Sequence, residues 1–545
     1  MFRLSVWDYG GQPVFHVVQH LYLHENCFYV VVFSLHEFMG ARDKRKKDEA
    51  IENLIHWIKS IILQAVSNEE REDPYSEPRH APILLVGTHL DSIKQSADAD
   101  ISNPEQNNMK ELKAINEIIL NELVWDKKPP VGNKSTTASA STKSAADALS
   151  EISVEGGKML YNTNEALCFW PVDNSNPDDK NVIALRGLLR DQVLNQDYVK
   201  DLVPIPWLGA IDELVNISSE KYVVPLERNG TSTDATSIVD ILRKHKALQR
   251  SSEDDKAITI AFLTFCHGLG LFIYFDGIPG LEDFCILNPQ WYIDQTTYLI
   301  RDFKLHRFDR DYDAMKVNGG ASWKILLKKG ILDMPLLQKL WNGADQSHVE
   351  YLVNFMEMIG IFGMLPSKST GEEVGPRVLV PALITRSHRT SDYTSPLLSK
   401  VQNHLGTESR SVEKCTRTFK FQSYLFIGFY SRLVTALVNS FFNQQTGITL
   451  PYEDPELLKD GCLLNFIVGT EAVPFAIHLN LPSSSIDIIA NSNNDIMDTT
   501  ILPDIEVAFD TVNTDIYGGR LKIDYPVKPP LRNNVTIYPS AEDRA

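Results

Sequence analysis

A short stretch near the start of the chain has the residue types that magnesium-assisted phosphoryl transfer requires. Residues 8–12 read Asp-Tyr-Gly-Gly-Gln and follow a strand-like run at residues 2–7. In such sites an Asp holds Mg²⁺, a backbone N–H contacts the terminal phosphate and a Gln orients the attacking water. We predict that Asp8 is the metal ligand, Gly11 the phosphate contact and Gln12 the catalytic residue. The alternative is a plain turn, which Asp followed by two glycines also favours.

Two further apolar runs end in polar residues that could contact a base. Residues 83–87 precede Thr-His-Leu-Asp, and residues 166–172 precede Asp-Asn-Ser-Asn. A carboxylate at the end of such a strand can accept the N–H donors on one edge of a guanine. The predicted base-contacting residues are Thr88, His89, Asp91, Asp173, Asn174 and Ser175. The alternative for Asp91 is a helix N-cap, which commonly follows a strand.

The elements that must position these residues are parallel strands joined by crossover helices. Short apolar runs are typical of buried parallel strands, and they occur at residues 28–35, 83–87 and 166–172. Apolar residues at helical spacing predict crossover helices at residues 48–67, 109–123 and 181–196. Doubly wound sheets bind their ligands at the carboxyl ends of the strands. The sequence therefore predicts an α/β fold that begins with a doubly wound sheet and has its polar loops at one edge.

The phosphate loop of nucleotide-hydrolysing enzymes is the motif that this sequence lacks. Its pattern, Gly-x-x-x-x-Gly-Lys-Ser/Thr, cradles phosphates with backbone N–H groups and reaches them with the Lys. The 545 residues contain no such pattern, and Gly156-Gly157-Lys158 has neither the spacing nor the hydroxyl residue. In the family that the chain resembles, described below, this loop precedes the Asp-x-x-Gly-Gln segment, which implies that the chain begins after the loop, as a fragment or a degenerate copy. The neighbouring strand should then have an unpaired edge that promotes association.

The order of these motifs resembles the Roc GTPase domain of ROCO proteins. The resemblance rests on residues 8–12, on Phe15 and His20, on the strand at 28–35 and on Thr-His-Leu-Asp at 88–91. Animal members of that family also carry Thr-His-x-Asp in place of Asn-Lys-x-Asp. The resemblance implies a partial Ras-like sheet that binds GTP or GDP together with Mg²⁺.

The resemblance continues into the COR domain that follows Roc. Residues 265–275 and the segment 285–291, Cys-Ile-Leu-Asn-Pro-Gln-Trp, match its signature. Three shorter matches follow in the expected order, at residues 340–341, 355–357 and 380–383. The similarity therefore covers most of the chain.

The resemblance also implies a division of the chain into three units. They are a partial Roc domain at residues 1–200 with a disordered insertion at about 127–157, a winged-helix-like first half of COR at 204–387, and a second half of helix and sheet at 405–545. In the family the second half carries the dimer contact, so we expect a homodimer that also binds other signalling proteins. Trp291 and Trp341 are predicted core residues, and residues 491–510 are a predicted loop.

Two alternatives to a guanine-nucleotide switch are left open by the sequence. A non-catalytic interaction scaffold that kept the fold would account for the missing phosphate loop, so GTPase activity is undecided. The chain is also compatible with being a fragment of a longer ROCO GTPase and serine/threonine kinase. It has no His-Arg-Asp, Asp-Phe-Gly or Val-Ala-Ile-Lys kinase motif of its own.

Composition places the chain among ordinary globular proteins and excludes two functional classes. A chain of 545 residues with 43% hydrophobic residues should form roughly two to four domains. The net charge of −18 offers no basic surface for a nucleic acid. No apolar run reaches the roughly 20 residues that span a bilayer. The six cysteines lack metal-binding spacing and indicate buried thiols in a reducing, cytoplasmic compartment.

Overall fold

The computed structural model describes twenty segments of the chain. They are residues 6–11, 18, 23–39, 44–66, 80–94, 104–123, 158–200, 202–227, 236–248, 253–277, 281–300, 310–341, 346–365, 377–384, 414–422, 424–442, 456–458, 461–468, 471–491 and 497–526. Several predictions lie outside these residues, namely those on Gln12, Phe15, His20, the run at 2–5 and the insertion at 127–157.

A parallel sheet forms the first part of the chain. Its strands are β1 (Tyr29–Ser34), β2 (Pro82–Thr88), β3 (Lys158–Leu160) and β4 (Trp170–Pro171). β2 pairs with β1 on one side, while β3 and β4 pair with its first and last residues on the other. Every residue of β2 is buried, as expected for a parallel strand covered on both faces. The prediction of a mixed α/β chain with a parallel sheet is confirmed, although only two residues of the run 166–172 pair as a strand.

Helices cover the two faces of this sheet unequally. They are α1 (Leu35–Met39), α2 (Lys44–Gln64), α3 (Leu90–Lys94), α4 (Pro104–Leu123) and α5 (Lys180–Leu194). α2 buries Leu54, Ile58 and Ile61 in the same cluster as Val31 and Phe33 of β1. α5 packs on the opposite face and has no fully buried residue. Of the apolar residues at helical spacing on α5, Val182, Leu185, Leu188 and Leu189 pack against the cluster that contains Leu84 and Val86, as predicted, whereas Ile183 is exposed.

A helix-rich region with two small antiparallel sheets follows. Its elements are α6 (Ile205–Ile217), β5 (Val223–Pro225), α7 (Ile238–Lys244), α8 (Glu253–Gly268), β6 (Phe284–Ile286), α9 (Pro289–Leu299), α10 (Arg310–Lys329), β7 (Ile331–Asp333), α11 (Met334–Leu340), α12 (Gln346–Met358), β8 (Gly363–Leu365) and β9 (Arg377–Leu379). β5 pairs with β6, and β9 lies between β7 and β8.

Local chemistry explains the start of α9. The side chain of Asn288 accepts a hydrogen bond from the Trp291 N–H at 3.0 Å, and Pro289 occupies the first turn. Asn at the cap and Pro just inside it are both strongly preferred at helix starts. Trp291 itself is half-buried, stacked on Tyr222 with ring centroids 5.2 Å apart. Trp291 packs against the edge of the core cluster that contains the fully buried Trp341, so the prediction is confirmed for Trp341 and holds for Trp291 as a partly buried residue.

The last part of the chain packs two helices on one face of a six-stranded antiparallel sheet. Its elements are β10 (Lys414–Phe421), α13 (Ile427–Phe442), β11 (Glu456–Leu458), β12 (Gly461–Val468), β13 (Glu471–Asn480), β14 (Ser485–Asn491), α14 (Leu502–Tyr517) and β15 (Ile523–Asp524). Phe419 of β10 stacks on Phe509 of α14 with centroids 3.9 Å apart. Helix α14 shows that the prediction of a loop at 491–510 is wrong, because Ile505, Phe509 and Val512 form one buried face.

The outer edge of β1 has no partner strand among the residues that the structure describes. Within the described residues β1 pairs with β2 alone. Val30 and Val32 are 41% and 61% exposed, while their partners on β2, Leu84 and Val86, are buried. Natural proteins protect exposed edges with charges, prolines or bulges, and the sequence Tyr-Val-Val-Val-Phe-Ser has none of them.

We expect Val32→Lys to reduce concentration-dependent association of the purified chain while leaving its unfolding free energy within about 0.5 kcal/mol of the parent. The reason is that an exposed lysine on an edge strand disfavours pairing with a second strand. Sedimentation velocity over a range of concentrations measures the effect. Val507→Lys is the matched control, because Val507 is 63% exposed on helix α14. Equal changes in both variants would contradict a role for the strand edge.

Candidate functional site

The carboxyl ends of β1 and β2 meet at Thr88. Its hydroxyl donates a hydrogen bond to the Phe33 carbonyl at 3.1 Å and lies 3.1 Å from Nδ1 of His89. The Ser34 hydroxyl lies 3.4 Å from the same imidazole nitrogen. Thr88 is buried, whereas His89 is exposed and has a φ of 62°, in the left-handed region. Thr88 therefore ties the two strands together and leaves His89 as the side chain that faces solvent.

The loop after β4 lies beside this corner. The Leu90 N–H donates to the Val172 carbonyl at 3.2 Å, and the Val172 N–H donates to the Gly87 carbonyl at 2.8 Å. Asp91 lies in the first turn of α3 and is half-buried. It is inside the helix rather than at its cap. The backbone bonds thus bring the two predicted base-contacting loops side by side.

The second loop is shaped by Asp173. This buried carboxylate accepts hydrogen bonds from the N–H and the hydroxyl of Ser175 at 3.1 and 2.6 Å. Asn174 between them is exposed. Asp173 and Ser175 therefore hold the loop, and Asn174 is the side chain available to a ligand. Asn174 and His89 are exposed and Asp91 is half-buried, whereas the hydroxyl of Thr88 is bonded internally.

The predicted metal and phosphate segment lies along helix α2. The carbonyl of Gly11 accepts a hydrogen bond from the Asn53 amide at 3.3 Å. The ring of Tyr9 meets the ring of Trp57 edge-on, with centroids 5.6 Å apart. Asp8 is exposed, so its carboxylate is accessible to a cation. Mg²⁺ commonly binds one or two carboxylates and keeps several waters, so a single exposed Asp fits it.

Tyr9 places this segment near the start of β1. Burial raises the pKa of Tyr29, the first residue of β1, and the neighbouring Cys27 and Tyr9 raise it further. Strands rise about 3.3 Å per residue, so Tyr29 and Ser34 lie roughly 17 Å apart. The structure therefore brings the two base-contacting loops together and places the Asp8 segment at the other end of β1. The site roles of all these residues stay predictions.

Two residues that hold this segment were not predicted from sequence. Asn53 and Trp57 lie four residues apart on α2 and present one face to it. Both look like ordinary residues of an amphipathic helix, so the sequence has no signal for this contact. Among the described residues, no group of three or more His, Cys, Asp or Glu could hold a metal ion. No helix in those segments is both long and apolar enough to cross a membrane.

A histidine pair joins the segment before β1 to helix α8. The rings of His24 and His267 lie 6.0 Å apart, and His267 is partly buried. Burial and, to a smaller extent, the nearby His24 together lower the pKa of His267 to about 4. The pKa of this group is therefore lower in the folded chain than in the unfolded chain.

We expect the unfolding free energy to fall as the pH drops from about 6.5 towards about 4. In that window the unfolded chain binds a proton at His267 that the folded chain does not. Urea unfolding at pH 7.5, 6.0 and 5.0 measures the slope, and His267→Gln should reduce it. His36 is exposed, so His36→Gln is the control and should leave the slope unchanged. Equal slopes in parent and His267→Gln would contradict this prediction.

Known proteins resemble the chain at low identity. No protein-family model matches it. Probable serine/threonine-protein kinase pats1 of Dictyostelium discoideum is 22% identical over 439 residues, which cover 80% of this chain and 10% of that protein. Probable serine/threonine-protein kinase roco11 is 21% identical over 79% of this chain and 28% of its own length, and cyclic GMP-binding protein C is 23% identical over 54% and 8%. The chain is thus related to Roco-family proteins and spans less than a third of their length.

Proposed function

We propose that the chain is part of a Roc-COR module, in which a guanine-nucleotide switch is coupled to a dimerising signalling scaffold. The observation that carries the proposal is the corner where β1, β2 and the loop after β4 present His89, Asp91 and Asn174 side by side. Ligands of doubly wound sheets bind at this end of the strands. The similarity to Roco-family proteins over much of the chain supports the same assignment.

Each residue has a distinct role in this proposal. Asp91 accepts hydrogen bonds from the edge of a guanine, and Asn174 and His89 flank the base. Thr88, Asp173 and Ser175 position these side chains through the bonds described above. The roles proposed for Asp8 toward Mg²⁺, Gly11 toward phosphate and Gln12 toward water rest on the sequence pattern and the resemblance alone, because the Asp8 segment lies at the other end of β1 from the base-contacting loops. A bound magnesium–nucleotide complex would supply the phosphoryl group and neutralise its charge.

Hydrolysis by this chain alone is not part of the proposal. The sequence contains no Gly-x-x-x-x-Gly-Lys-Ser/Thr, whose N–H groups and Lys hold the phosphates being cleaved. The proposed homodimer forms through the last part of the chain, residues 405–545. The kinase activity that the relatives' names describe is not assigned to this chain, which lacks the three kinase motifs.

Titration with a fluorescent GDP analogue in Mg²⁺ tests the nucleotide site. We expect binding that GTP competes away and ATP does not, and we expect Asp91→Asn to weaken it about tenfold or more, because a carboxylate that accepts two N–H donors is lost. Asp178→Asn is the matched control, since Asp178 is an exposed carboxylate in the neighbouring loop. Equal effects of the two variants would contradict the proposed site.

A non-catalytic scaffold is the second candidate function, favoured by the missing phosphate loop. It predicts no nucleotide binding together with a dimer-sized mass by light scattering. Guanine-specific binding that depends on Asp91 would overturn it.

A further inference from the structure

Trp7 docks on a glycine at the end of helix α8. A Cβ added to Gly270 would lie 2.5 Å from Nε1 of Trp7 and 3.1 Å from its Cε2, closer than real side chains approach. Gly270 also has a φ of +64°, which side chains rarely adopt. The indole therefore occupies a place that only glycine leaves open.

Tyr9 attaches the same segment to a different element. Its ring packs edge-on against Trp57 of α2, and two residues later the Gly11 carbonyl bonds to Asn53. Trp7 and Tyr9 are half-buried, while Asp8 between them is exposed. The alternation anchors every second residue and leaves the candidate metal ligand free to face solvent.

The turn after α8 also contacts the residues that lead into β1. A Cβ on Gly268 would lie 3.2 Å from the imidazole of His24 and 3.8 Å from the amide of Asn26. The turn at 268–270 therefore meets the chain on both sides of the Asp8 segment. A shift of α8 relative to α2 would move one anchor of this segment and not the other.

We propose that Trp7 and Tyr9 are positioning residues that hold residues 8–11 between helix α2 and the turn at 268–270. The location of Asp8 then depends on how the helix-rich region packs on the parallel sheet. The contacts of Trp7 and Tyr9 therefore link the helix-rich region to the predicted metal ligand. The role given to Asp8 rests on the proposed function, whereas the docking of Trp7 and Tyr9 does not.

Two glycine variants separate this contact from backbone strain. Gly270→Ala forces the indole of Trp7 out. Gly277→Ala is the matched control, because Gly277 has nearly the same φ, +68°, and nothing within 4 Å of its added Cβ. We expect Gly270→Ala to speed amide hydrogen exchange of residues 7–11 by about tenfold or more, while Gly277→Ala does not. Trp7→Ala should reproduce the effect of Gly270→Ala in a chain whose backbone at 270 is unchanged.

Nucleotide titration of the same variants tests the link to Asp8. We expect Gly270→Ala to raise the Mg²⁺ concentration needed for half-maximal binding of the GDP analogue by threefold or more. Affinity in EDTA should not change, because the base-contacting loops lie at the other end of β1 from the Asp8 segment. A purely structural role for Trp7 would lower thermal stability without this shift.

The hydrogen-exchange experiment and the nucleotide titration can fail independently of each other. Unchanged exchange at residues 7–11 in both Gly270→Ala and Trp7→Ala would overturn the docking, whatever the nucleotide does. Faster exchange with an unchanged Mg²⁺ requirement would overturn the link from the docked segment to the metal. If the two variants exchange faster but the parent chain binds no nucleotide, the docking is supported and the proposed function is overturned.

Discussion

Trp341→Ala is expected to lower the free energy of unfolding by about 3–5 kcal/mol. Trp341 ends helix α11, is fully buried and donates a hydrogen bond from Nε1 to the Gln295 carbonyl at 3.0 Å. Truncation removes a large apolar surface, leaves a cavity and removes one hydrogen bond to that carbonyl. Urea unfolding followed by circular dichroism measures the change.

Trp291→Ala is the control for this prediction. Trp291 is the same residue type in the same region, but it is half-buried and its ring stacks on Tyr222 at the edge of the core. We expect a loss of about 1–2 kcal/mol, since less surface is uncovered and the site can collapse. Equal losses in the two variants would show that the core of this region is centred elsewhere.

Breaking the ion pair between Arg417 and Asp498 is expected to cost about 3–5 kcal/mol. Two guanidinium nitrogens of Arg417 donate to the two carboxylate oxygens at 2.7 Å each, and the side chains are only 12% and 9% exposed. The hydrogen bond to Asp498 raises the pKa of Arg417. Arg417→Met would leave a buried carboxylate without this partner, so we expect a large loss of stability in urea unfolding.

The double variant Arg417→Met/Asp498→Leu tests the cause of that loss. Replacing a buried pair by apolar residues of similar size is often close to neutral, so the double variant should regain most of the lost stability. The exposed pair Arg45–Glu49, at 3.0 Å, is the matched control, and breaking it should cost no more than about 0.5 kcal/mol. If the double variant is as unstable as Arg417→Met, the loss of stability comes from altered packing and not from the unpaired carboxylate.

Local sequence determined the elements that carry the candidate site. The apolar runs at 28–35 and 83–87 form paired parallel strands because buried parallel strands need apolar residues on both faces. The polar residues that follow them lie at the carboxyl ends, where the strand direction puts them. Asn288 and Pro289 start helix α9 by local chemistry alone, because Asn288 caps its first turn and Pro289 favours the first helical position.

Only the tertiary structure decided what each polar residue does. The Thr88 hydroxyl donates a hydrogen bond to the Phe33 carbonyl, 55 positions away in the chain. The residue type alone could not show that Thr88 links two strands. Ile183 has helical apolar spacing, yet its side chain is exposed while Val182 and Leu185 beside it pack on the sheet. Trp7 meets Gly270 across 263 positions, and no local pattern encodes such a contact. Periodicity reports which face of an element is apolar, and the packing of distant elements decides what that face meets.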